Sequence, residues 1–81
     1  MKPVDNHDRQ AMLLGVGLDS DGHRRITQGE NFYLAGGTEE THGRMAETVI
    51  KFNEKLARRG KKLHDLSREE FRDLMGEASD R

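Results

Sequence analysis

The sequence predicts an α+β domain: a short antiparallel β-meander of two or three strands, followed by two α-helices, the first of them long. Three observations predict it. Six of the nine glycines fall between residues 11 and 37, and glycine is poor in helix interiors, so that stretch is not helical. Within it, apolar residues alternate with glycine in "MLLGVGL", which is strand periodicity. Beyond residue 38 the apolar spacing changes to threes and fours, the period of a helix face.

The elements follow in order. Residues 1–10, "MKPVDNHDRQ", are polar and aperiodic, and are expected to form a mobile tail. In residues 12–18, Met12, Leu14, Val16 and Leu18 share one strand face, with Leu13, Gly15 and Gly17 on the other. The apolar face is expected to point into the core. "HRRIT" is a second, weaker strand and "NFYLA" a third, with Phe32 and Leu34 on one face. "DSDG" and "QGE" are turn material between them. Gly36 and Gly37 close the sheet, which spans residues 11–37.

Thr38 is a natural N-cap, with Glu39 and Glu40 in the first turn, where a helix favours negative charge. Met45, Val49, Phe52 and Leu56 form the buried stripe, widened by Ala46, Ile50 and Ala57. Lys55, Arg58 and Arg59 suit a last turn, and Gly60 suits the position after the cap. The first helix is therefore expected over 39–59. Ser67 and Glu70 form a capping box, and Leu66 and Phe71 a hydrophobic staple. They open a second helix over 67–79, with Phe71, Leu74, Met75 and Ala78 on its buried side.

Composition bounds the rest. Residues 11–81 make one small domain, and because the full chain is only 32% apolar and 36% charged, the core is lean. There is no cysteine, hence no disulfide and no thiolate for zinc or catalysis, which suits a reducing compartment. Stability must come from a compact core or from a face shared in a homodimer. A net charge of −1 predicts no bulk attraction to nucleic acid or to an anionic membrane. The longest apolar run, residues 11–18, is far below the ~20 residues that cross a bilayer. The expectation is a soluble, cytoplasmic protein with no membrane association and no cofactor.

Three segments carry chemistry worth weighing. "DSDGH" places Asp19, Asp21 and His23 together, as a metal loop would. The EF-hand pattern fails at both ends, where Gly17 and Gln28 stand. Asp and Gly are also what a turn selects, and a turn is the preferred reading. Of the four histidines, His7, His23, His42 and His64, no two share a helix-face spacing. A site could form only if His23 and His42 met, joined by Asp21, Glu39 or Glu40. "GGTEETH" resembles a phosphate-binding helix start, but its two glutamates repel phosphate. The basic segment supplies Lys55, Arg58, Arg59, Lys61 and Lys62, which suit contacts to a partner or to nucleic acid phosphates.

No nucleophile elbow occurs, and so small a domain has difficulty enclosing a pocket of ~300 Å³. The functional expectation is a non-enzymatic protein-interaction or regulatory module with an unknown protein partner, self-association included. The alternatives are nucleic-acid binding through residues 55–62 and a metal-dependent module at residues 19–23.

Overall fold

The computed structural model describes residues 11–79, so the tail expected at 1–10 lies outside the described residues. The chain forms β1 (Leu13–Gly17), β2 (Ile26–Gly29), β3 (Phe32–Gly36), α1 (Glu39–Arg58), a single 3-10 turn (Leu63–Asp65) and α2 (Arg68–Ser79). The α+β layout is as expected. The sheet is not a meander. Its order is β1-β3-β2, with β3 in the centre. β2 and β3 form an antiparallel hairpin, whereas β1 runs parallel to β3, with Leu13 opposite Phe32 and Gly17 opposite Gly36.

The connection explains the mixed sheet. A tight turn at "DSDG" would have put β1 beside β2. Instead residues 18–25 form a longer crossing over the end of β3. It must span two strand spacings, about 10 Å, which eight residues do easily.

The second correction concerns the face of β1. Leu13 is buried, while Leu14 is 75%, Val16 68% and Leu18 93% exposed; Met12 is also exposed. The alternating apolar face therefore points away from the helices. The inward face is Leu13, Gly15 and Gly17. A Cβ on Gly15 would stand 2.7 Å from Leu34 Cδ2 and 3.3 Å from Met45 Sδ. One on Gly17 would stand 2.5 Å from Gly37 Cα. Only glycines let β1 lie this close to β3, to α1 and to the Gly36–Gly37 turn, both of whose residues have positive φ. The residues that lack side chains thus decide which face is inward.

The helices match their sequence signals closely. Thr38 caps α1, its hydroxyl accepting the Thr41 N–H at 3.3 Å. At the other end, Gly60 N–H donates to Ala57 O and Lys61 N–H to Leu56 O, with Gly60 at φ +66°. This is a Schellman motif, satisfying carbonyls the helix leaves open. The capping box of α2 is complete: Glu70 N–H donates to Ser67 Oγ and Ser67 N–H to Glu70 Oε1.

The core lies between the sheet's inner face and the helices, and consists of Leu13, Leu34, Val49, Phe52, Leu56, Leu74 and Ala78. Phe52 is fully buried, its ring centroid 5.6 Å from that of Phe71. Ile50 and Ala57, expected to widen the α1 stripe, are exposed. No helix among the described residues is long and apolar enough to cross a membrane.

The assignment of faces is testable by urea denaturation. Leu13→Ala should cost about 2–4 kcal/mol, as a core truncation does. Ile50→Ala, on the exposed side of α1, should change stability by less than about 0.5 kcal/mol. Equal costs would contradict this inward face.

Candidate interaction surface

The residues of "DSDGH" have separate tasks. Asp19 reaches across to the start of α1. Its Oδ1 accepts the Thr38 N–H at 3.2 Å, and its Oδ2 accepts the Thr41 hydroxyl at 2.7 Å, with the Thr38 hydroxyl 3.1 Å away. The Thr41 hydroxyl first, and Thr38 after it, hold the Asp19 carboxyl below its ordinary 3.8. Asp21 instead accepts from Arg25 Nη1 at 2.7 Å and from the His23 N–H. The Arg25 contact is the main reason its pKa falls to about 2. Arg25 Nη1 also reaches Gly37 O at 3.3 Å. The carboxylates thus tie the crossing connection down, one to the helix start and one to its own loop.

His42 is buried under the same crossing. Nδ1 lies 2.9 Å from Gly36 O, and Nε2 lies 2.7 Å from Thr27 Oγ1. A carbonyl can only accept, so Nδ1 carries a proton, and in the neutral ring the Thr27 hydroxyl donates to Nε2. His42 therefore staples β2, the end of β3 and α1 together. His23 is exposed in the connection and is not joined to His42. Among the described residues no three of His, Asp and Glu are grouped so as to hold a metal ion. Glu40 pairs with Arg44 at 2.6 Å on the helix surface.

The basic segment is partly used within the chain. Lys55 lies 3.5 Å and Arg59 4.0 Å from the Glu77 carboxylate. Lys61 pairs with Glu70, and that contact, helped by the Ser67 N–H, lowers the Glu70 pKa to about 2. These pairs clamp the end of α1 and its following turn to α2. Arg58 and Lys62 are exposed and form no ion pair among the described residues.

What the sequence reading did not single out is the outer side of β1. Leu14, Val16 and Ile26 stand exposed on the open face of the sheet. The register places Leu14 beside Tyr33 and Val16 beside Ala35, which in turn faces Ile26. The result is a largely apolar surface without a charged side chain in those rows, bounded by Gln28 beside Tyr33. β1 is also an edge. Leu13 N–H donates to Asn31 O, toward β3. Strand alternation then turns the N–H and C=O of Leu14 and Val16 outward, away from β3. Below this edge runs an apolar groove. One part, about 240 Å³, is lined by Gly15, Met45, Val49, Phe71 and Met75 among others. A second, more polar part, about 440 Å³, lies beside Leu13, Leu14, Leu63 and Leu66 and is also lined by Ser67 and Arg68. The signal for this surface was present: glycines at alternate positions mark the side of a strand that meets a backbone or helix.

No family model, curated protein or solved structure matches this chain. Function must therefore be read from its own surfaces. No buried side-chain nitrogen or oxygen among the described residues lacks a hydrogen-bond partner. The interior polar groups are spent on structure.

Two measurements probe these staples. Thr27→Val keeps the shape but leaves His42 Nε2 unpaired, and should cost about 1–3 kcal/mol in urea unfolding. An unchanged midpoint would mean that this contact contributes nothing. Glu70, lowered from 4.5 to about 2, contributes stability that is complete above pH 4.5 and lost as pH falls through about 2. Acid titration of Glu70→Gln should therefore show a smaller loss of stability over that window than the parent chain.

Proposed function

We propose that this protein is a non-enzymatic protein-interaction or regulatory module that engages another polypeptide through β1. The single observation that carries this reading is the bare apolar strand: exposed Leu14 and Val16 on an open sheet face, next to an outward-pointing backbone edge. Exposed apolar patches of this kind mark interaction sites. An unpaired strand edge is a ready template for main-chain hydrogen bonds. The matching partner offers an extended, uncharged segment with apolar side chains at alternate positions. We place this activity in the cytoplasm, a reading supported by the lack of cysteine.

Nucleic-acid binding through Lys55, Arg58, Arg59, Lys61 and Lys62 is the weaker reading, because Lys55, Arg59 and Lys61 already face carboxylates of α2. A metal-dependent role for Asp19, Asp21, His23 and His42 is weaker still, because each carboxylate already has hydrogen-bond donors of its own.

Site-specific photo-crosslinking in the native host tests the proposal. A crosslinking residue at position 14 should yield discrete protein adducts. One at position 54, exposed on α1, should not. No adduct from position 14, or the same adducts from both positions, would overturn it.

A further inference from the structure

We infer that the partner on β1 is a second copy of this chain, paired antiparallel across a twofold axis near Gly15, so that two three-stranded sheets join into one of six strands. This rests on the reading of β1 as the interaction surface and names its occupant.

Three observations favour a second copy. The first is the contrast between the two edges of the sheet. Native proteins protect exposed edges with charge, proline or short length. β2 is the shorter strand and is flanked by Arg24, Arg25 and Glu30. Residues 11–18 hold no charge and no proline. Such an edge needs an equally bare strand opposite it, and this chain carries one.

The second is self-complementarity. With the axis at Gly15, Leu14 of one copy exchanges hydrogen bonds with Val16 of the other, because these are the residues whose backbone groups point outward. Their side chains meet as Leu–Val pairs on the open face. On the inner face, Leu13 of one copy stands opposite Gly17 of the other, a large side chain against a position with none. Gly15 meets Gly15, so nothing crowds the axis.

The third is area. Met12, Leu14, Val16 and Leu18 lie along the joining strand, and their exposed parts amount to on the order of 400 Å² of apolar surface, of which the flanks turned toward the partner strand are covered. The newly paired backbone and the groove floor at Phe71 and Met75 extend this toward the ~800 Å² per partner of a standard interface. A twofold interface uses the same patch on both copies, so no second complementary surface has to exist on either.

Sedimentation equilibrium of the full chain, with amide hydrogen exchange, tests the inference. The parent should sediment at twice the chain mass, with Leu14 and Val16 amides slowed by roughly 100-fold or more relative to an open edge. Val16→Pro removes an outward N–H and leaves the β1–β3 ladder intact. It should sediment as a monomer with unchanged helical circular dichroism, while Val16→Thr, which keeps the N–H, should stay dimeric. A parent that is monomeric with fast-exchanging Leu14 and Val16 overturns the inference. So does a folded Val16→Pro that remains a dimer. Should Val16→Pro fail to fold, the exchange rates of the parent decide. A monomer whose position 14 still crosslinks to a different protein would overturn the second copy while leaving the interaction reading standing. A monomer without adducts would remove both.

Discussion

The structure depends on the close approach of β1 to the rest of the domain. Gly15 and Gly17 make that approach, one under Leu34 and Met45, the other against Gly37. A side chain at Gly17 would collide with the Gly37 backbone and push the strand off the turn, while one at Gly15 would force the buried Leu34 side chain to give way. Because the inward face is given to contact with backbone and with Leu34, the apolar side chains of β1 have only the outward face left. Packing inside and exposure outside are the same fact. The surface proposed to bind a partner follows from how the core is closed.

The crossing between β1 and β2 is held by a set of short polar ties. Asp19 gathers the start of α1, and Arg25 spans from Asp21 to the Gly37 carbonyl. Beneath them His42 joins Thr27 to Gly36. At the far end of α1, a different device operates: the Schellman turn leads the chain back, and Lys55, Arg59 and Lys61 meet Glu77 and Glu70. Asn31 and Asn53 exchange amide hydrogen bonds between the hairpin and mid-α1. Polar side chains thus fix where the elements sit, and the small apolar core supplies the cohesion.

The helices were legible in the sequence almost to the residue, because their signals are local. Thr38, Gly60 and the Ser67–Glu70 pair act within one turn of where they stand. The sheet was legible only as a set of strands. Its order depends on where residues 18–25 lead the chain, and "DSDG" suits both a tight turn and an anchored crossing. The face of β1 was misread because alternation defines two faces without saying which is inside. Leu14 and Val16 look like core residues until the glycines between them are taken as the packing surface. The ligand-like residues Asp19, Asp21, His23 and His42 could be singled out by type but not by what they meet: Asp19 and His42 meet threonines and a backbone carbonyl. The pairing of the basic segment with α2 depends on the helix–helix fold-back, which spacing alone does not reveal.

The parallel placement of β1 also orders the assembly of the chain. β2 and β3 are joined by two residues, and their hairpin closes at small entropic cost. β1 finds β3 only across the whole hairpin, since Leu13 pairs with Phe32, and its seat exists only once β3 and α1 have met. It is therefore the natural last strand to dock and the first to leave. During synthesis it emerges earliest and waits, apolar and uncharged, for the rest of its own domain. Over that interval the same strand is open to capture by other unfolded chains, and the closing of α1 over the hairpin is what gives it its seat.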